Sequence, residues 1–75
     1  MNYYMVEESE DYDNYFVIRI FQNNKEQDGM AVHFNDFRGC IQTLIYFGYE
    51  DKGEFEAFEM YYNMLERRIK KEFGI

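Results

Sequence analysis

For a serine or cysteine nucleophile activated by histidine, this chain offers one serine, one cysteine and one histidine. Nucleophilic catalysis needs a hydroxyl or thiol beside a histidine that a third group orients. Ser9 lies inside Glu7-Glu8-Ser9-Glu10-Asp11-Tyr12-Asp13-Asn14, a run of five acids and no base whose negative field opposes an alkoxide. Cys40 falls on the apolar stripe of a helix, where a buried thiol is inert. His33 alternates outward on a short strand, as a surface histidine. One His and one Cys match no zinc spacing. Asp11-Tyr12-Asp13-Asn14 resembles the start of a calcium loop, but that pattern wants glycine at its sixth position and glutamate at its twelfth, where Phe16 and Gln22 stand. Asp28-Gly29 and Gly53 belong to turns, and no glycine pattern cradles a phosphate. Paired carboxylates for glycosidic chemistry would need a substrate cleft larger than a chain of 75 residues readily forms. The expectation is a non-enzymatic protein with no metal and no cofactor.

Acids and tyrosines are the remaining chemistry. One set is Tyr3, Tyr4, Glu7, Glu8, Glu10, Asp11, Tyr12, Asp13 and Tyr15; the other is Tyr49, Glu50, Asp51, Glu54, Glu56 and Glu59. Alternate residues of an extended segment lie roughly 6.6 Å apart, and acids three or four apart on a helix have Cβ atoms about 5–6 Å apart. Both spacings approach that of successive phosphates, so such rows can occupy an Arg/Lys groove shaped for nucleic acid through charge-assisted hydrogen bonds. Interleaved tyrosines would add flat contact of the kind enriched at interfaces. The plainer alternative is that acids at a helix start complement its dipole and acids on an outer face keep a protein in solution.

The elements that must position these residues begin with the last third. Phe55, Phe58, Tyr62, Leu65, Ile69 and Phe73 recur at helical steps, with Glu56, Glu59, Asn63, Glu66 and Lys70 opposite, which predicts a helix over Glu54 to Phe73 of roughly 30 Å. Asp51 stands three residues before Glu54 as a capping residue with its reciprocal acid. Arg67, Arg68, Lys70 and Lys71 fill the last turns, and Gly74 stops the helix. Upstream, Tyr15 to Gln22 alternates as a strand, with Phe16, Ile18 and Ile20 on one side and Tyr15, Val17, Arg19 and Phe21 on the other. Asn23 to Gly29 is a polar turn ending in the hairpin pair Asp28-Gly29, and Met30 to Phe34 is a second strand. Asn35 caps a helix over Asp36 to Phe47 with Phe37, Cys40, Ile41, Leu44 and Ile45 inward, and Gly48 ends it. Met1 to Val6 is a strand or an ordered arm, and residues 7–14 a flexible, solvated acidic segment. The order predicts a single α+β domain over residues 1–75: a small antiparallel sheet of two or three strands against two C-terminal helices.

Composition sets limits on partners. Sixteen aromatic residues, eight Phe and eight Tyr, supply buried area to a chain near the lower size limit for a core. The net charge of −7 is split: residues 1–66 carry fourteen acids against four bases, and residues 67–75 carry four bases and Glu72. An acidic body repels nucleic acid and anionic membranes and favours basic protein partners. A lone cysteine suits a reducing interior, and no apolar run approaches the ~20 residues of a membrane span. The expected location is the cytoplasm of a host bacterial cell.

Val17-Ile18-Arg19-Ile20, an Asn-rich turn with Asp28-Gly29, a second strand, a helix, and Tyr49-Glu50-Asp51-x-x-Glu54-Phe55 opening another helix together resemble a small acidic phage-encoded anti-CRISPR inhibitor of the type II-A system. The resemblance spans about Phe16 to Met60 and departs at Met30-Ala31 and Lys52, where the family has polar or acidic residues; an acidic arm also replaces its leading helix. It implies a compact α+β monomer that binds the guide-loaded effector nuclease and blocks the arginines that read the PAM. Asp28, Tyr49, Glu50 and Asp51 would then be contact residues.

The leading expectation is therefore an inhibitor that engages a basic nucleic-acid-binding surface of a defence nuclease or DNA-processing protein. Its contacts would be Glu10, Asp11, Asp13, Asp28, Tyr49, Glu50, Asp51, Glu54, Glu56 and Glu59, without direct nucleic-acid or membrane binding. The alternative is a homodimeric structural or regulatory module, because Met60, Tyr61 and Met64 widen the apolar arc of the long helix beyond what a hairpin and a short helix would cover. An acidic activator or adaptor is a third class that the composition allows.

Overall fold

The computed structural model, which describes residues 1–53 and 56–74, has an α+β fold. Its elements are β1 (Tyr3–Glu8), β2 (Tyr15–Gln22), β3 (Lys25–Glu26), β4 (Met30–His33), α1 (Phe34–Tyr46), β5 (Glu50–Asp51) and α2 (Ala57–Phe73). The sheet has five strands rather than two or three, in the order β3-β2-β1-β5, with β4 also paired to β2. It is mixed: β1 and β2 are antiparallel, while β5 runs parallel to β1 at the edge.

Alternation along the strands decides the two faces. Tyr4, Val6, Phe16, Ile18 and Val32 point to one side and are buried with Phe34, Phe37 and Ile41 of α1 and Ala57 and Met64 of α2. Both helices thus cover the same face. Phe37 is the centre, tilted against Phe16 at 4.2 Å and stacked on Tyr61 at 5.8 Å between ring centroids. On the open face Tyr3 stacks on Phe21 at 4.5 Å, and Arg19 reaches Glu7 and Glu26.

The hairpin turn lies at Asn23-Asn24, not at Asp28-Gly29. Both asparagines have positive φ, 53° and 66°, the backbone that suits a two-residue hairpin and that Asn tolerates. Pairing resumes at once, Gln22 with Lys25 and Phe21 with Glu26. It then slips by one residue, to Ile18 with Met30, so that residues 27–29 form a bulge between β3 and β4. Gly29 serves clearance there, since a Cβ would sit 3.0 Å from the Ile18 carbonyl oxygen.

Three local expectations change. The cap of α1 is His33, one position before the helix: its Nδ1 accepts the Asn35 N–H at 3.1 Å, and its ring meets Tyr15 edge-on. His33 is therefore half-buried and engaged, while Asn35 is inside the helix. Ile45, expected inward, is exposed near the helix end. Gly48, at φ 88°, closes α1 as expected, with Gly48 N–H on Ile45 O and Tyr49 N–H on Leu44 O, both 3.0 Å.

α2 is the largest correction. Its inward side is Ala57, Tyr61, Met64 and Arg68, about one residue, or roughly 100°, round from the expected stripe. Tyr62, Ile69 and Phe73 are exposed, at 51%, 42% and 68%, and Phe58 and Leu65 are half-buried flanks. The cause is the fit at the helix crossing. Small Ala57 allows close approach, and Tyr61 lies flat on Phe34 at 4.7 Å, with the Arg68 guanidinium 4.2 Å from the centroid of the same Phe34 ring. Gly74 ends the helix at φ 67°, as expected. Phe55 and Glu54 lie outside the described residues.

Candidate functional site

Segment 7–14 divides between strand and loop. Glu7 and Glu8 belong to β1, paired with Val17 and Phe16. The loop beyond is tied down by its own polar groups: Ser9 N–H donates to Tyr15 O at 3.0 Å, and the Ser9 hydroxyl accepts the Tyr12 N–H at 3.2 Å. Asn14 takes positive φ, 66°, and its carbonyl accepts the Phe34 N–H at 2.7 Å, joining the loop to the start of α1. Ser9 is thus a turn-former. Glu10, Asp11 and Asp13 are exposed on this loop and make no ion pair among the described residues.

The last turns of α2 face this loop. Arg67 pairs with Glu8. A groove of about 350 Å³ separates loop and helix, lined by Ser9, Tyr12, Asp13, Arg67, Arg68 and Lys71 among others. Here acids and bases share one surface. Nη1 of Arg68 is buried without a hydrogen-bond partner among the described residues, and its guanidinium lies over the Phe34 ring.

The second acidic set lies at the other end of β1, roughly 17 Å away over five strand steps. β5 pairs Glu50 with Tyr3 and Asp51 with Tyr4. Alternation then turns Glu50 to the open face with Tyr3 and Asp51 to the core side with Tyr4. Asp51 is occupied there: its Oδ1 accepts the Gly53 N–H at 3.1 Å and its Oδ2 the Ala57 N–H at 2.6 Å. It caps α2, as its place in the chain suggests, through the Ala57 N–H at the first residue of the helix. Glu56, the residue at the N-cap position, makes no side-chain capping bond.

Tyr49 is also engaged, half-buried with its hydroxyl accepting Gln22 Nε2 at 2.7 Å. Glu50, Glu56 and Glu59 are exposed and make no ion pair among the described residues. Asp28 is exposed on the bulge at the opposite sheet edge, roughly 14 Å across three strand spacings from β5. The expected contact residues therefore fall on three places: Glu10, Asp11 and Asp13 on the loop, Asp28 on the bulge, and Glu50, Glu56 and Glu59 at the β5–α2 end, where Glu50 lies on the open sheet face and Glu56 and Glu59 lie at the start of α2. Glu54 lies outside the described residues.

At the β5–α2 end lies Tyr4, 1% exposed, a residue whose importance the sequence did not reveal. Burial, reinforced by Asp51 and then Glu56, pushes its hydroxyl up from 10.0 to about 12. Its position follows from period two in β1: Tyr4 and Val6 point inward, Tyr3 and Met5 outward. Cys40 is a free, half-buried thiol on α1. No three of the His, Cys, Asp and Glu side chains gather to hold a metal among the described residues. Among those residues no helix is long and apolar enough to cross a membrane. Comparison with protein-family models, with curated proteins and with solved structures finds no match to this chain.

Proposed function

We propose that this protein is a non-enzymatic inhibitor that offers acidic surface to a basic, nucleic-acid-binding groove of a protein partner in the bacterial cytoplasm. The observation that supports it is that Glu56 and Glu59 at the start of α2, and Glu50 on the open face of the neighbouring edge strand, are exposed with no ion pair among the described residues. Carboxylates without internal partners are free to accept charge-assisted bonds from Arg and Lys, and the shared negative field steers a basic partner toward that end. The partner that the sequence resemblance implies is a guide-loaded type II-A effector nuclease, with the arginines that read the PAM as the groove.

The contact set narrows on structural grounds. Asp51 holds the first turn of α2, so it serves the interface by positioning Glu56 and Glu59 rather than by touching the partner. Tyr49 likewise anchors β5 to β2. Glu50, Glu56 and Glu59 carry the contact, with Asp28 reaching a second point of the same groove.

The test is binding of the chain to an immobilised guide-loaded type II-A effector at low and high salt, in competition with a PAM-bearing duplex. Retention at low salt, loss at high salt and displacement by the duplex are expected. Absence of binding, or binding indifferent to both salt and duplex, contradicts the proposal.

A further inference from the structure

Residues 67–75 carry four of the chain's eight bases, and the partner contact proposed above uses none of them. Three of the four, Arg67, Arg68 and Lys71, line the groove of about 350 Å³ between α2 and the loop after β1, a volume that suits a small ligand. Lys71 is a last-turn cation of the kind that answers a helix dipole. Arg68 is not, since it stands five residues before Phe73, more than one turn inside the helix.

The groove holds donors that the fold has not spent. Arg67 is committed to Glu8, but neither Arg68 nor Lys71 makes an ion pair among the described residues. Nη1 of Arg68 is buried without a hydrogen-bond partner among them, and the Phe34 ring under the guanidinium offers its face but no lone pair. On the loop wall the Ser9 hydroxyl accepts the Tyr12 N–H and keeps its own proton to donate. Tyr12, 66% exposed and tilted against Tyr15 at 5.9 Å between ring centroids, adds flat aromatic surface to the same wall.

We propose that this groove binds a small phosphate monoester carried on a flat ring. The three acceptor oxygens of such an ester meet a guanidinium fork, an ammonium and a hydroxyl, from Arg68, Lys71 and Ser9; a carboxylate has oxygens for only two of them. The ring lies against Tyr12. Asp13 lines the same groove and opposes the anion, so binding is weak, with a Kd on the order of 1 mM. Glu56 and Glu59 lie at the other end of α2, so this site and the partner contact stand or fall separately.

The experiment is a titration of the isotope-labelled chain, followed by amide NMR shifts, with phenyl phosphate, inorganic phosphate and phenol as probes. Phenyl phosphate is expected to move residues 9–15 and 64–71 saturably, and to bind about ten-fold more tightly than either of the other two. Lys71→Glu, at an exposed position, is expected to weaken it about ten-fold or more with an unchanged far-UV circular dichroism spectrum. Asp13→Asn is expected to tighten it by a few-fold, and Tyr12→Ala to reduce it to the affinity of inorganic phosphate.

No saturation by about 10 mM, shifts centred elsewhere, or wild-type affinity in Lys71→Glu overturns the proposal. Equal affinity for phenyl phosphate and inorganic phosphate overturns the part played by the ring. Phosphotyrosine and a nucleoside monophosphate are two natural sources of this chemistry. Tighter binding of one names the source, and failure of both to bind overturns the assignment to such an ester.

Discussion

The two ends of α2 both neighbour acids, but the far end sets Arg67, Arg68 and Lys71 beside them, whereas the near end has Lys52 over the Tyr3 ring. At the far end Arg67 and Lys71 face the loop that carries Asp13, and Arg67 is paired with Glu8. At the near end Glu56 and Glu59 lie at the helix start and Glu50 on the open face of β5, without an ion pair among the described residues. A net charge of −7 is therefore a poor guide to where a basic partner binds. What matters is how many bases share the surface, since Glu10, Asp11 and Asp13 are as free of ion pairs among the described residues as Glu50, Glu56 and Glu59. The loop has the denser run of acids in the sequence, yet the weaker claim to be the interface.

Both ends stand on one core, and breaking it removes them together. Phe37→Ala should destabilise the chain by about 3–5 kcal/mol, since a buried ring is replaced by a cavity. That is comparable with the whole stability expected of a domain this size, about 0.05–0.15 kcal/mol per residue. Urea denaturation should show the cooperative transition weakened or absent.

Next in size is an effect confined to the near end. Tyr4 is neutral in the fold up to about pH 12 but ionises near 10.0 when exposed. The folded state therefore holds a proton that the unfolded state has lost, and stability should fall as pH rises from 10 toward 12. At about 1.4 kcal/mol per pH unit the full loss is on the order of 2–3 kcal/mol. Urea midpoints at pH 9 and pH 11.5 measure it, and Tyr4→Phe should lose less over the same interval.

Asp51→Ala tests whether this carboxylate is a cap or a contact. Removing it strands the Ala57 N–H, so a loss of about 1–2 kcal/mol is expected in thermal unfolding. A variant of unchanged stability would return Asp51 to the surface group. Smallest is the far-end ion pair. Glu8→Ala should cost no more than about 1 kcal/mol and less at high salt, because both partners are largely exposed.

Much of this architecture was legible. Phe16, Ile18 and Ile20 alternate cleanly enough to set the orientation of β2, and Gly48 and Gly74 mark the helix ends as the two positive-φ glycines among the described residues. β5 was not legible, because two acidic residues carry no strand signal and pair only because β1 offers an edge. The hairpin was misplaced because Asp28-Gly29 is the stronger turn pair by composition, whereas register puts Asn23-Asn24 at the corner. The rotation of α2 escaped for a related reason. Apolar residues occupy more than half its circumference, so periodicity alone could not choose between the row headed by Ala57 and the row headed by Phe58.

For the candidate site, the choice of acids was only partly visible. Spacing grouped Tyr49, Glu50 and Asp51 together, but strand alternation sends Glu50 outward and Asp51 inward. That division depends on β5 existing at all.

The most direct test of the account sets the two ends against each other in one titration. Wild-type chain, Glu50→Lys/Glu56→Lys/Glu59→Lys and Glu10→Lys/Asp11→Lys/Asp13→Lys would each be titrated onto a guide-loaded type II-A effector at fixed low salt. At about 1 kcal/mol per reversed contact, the near-end variant should bind on the order of 100-fold more weakly. The loop variant should bind within a few-fold of wild type. Equal losses from both variants, or a larger loss from the loop variant, would contradict the claim that Glu50, Glu56 and Glu59 form the interface.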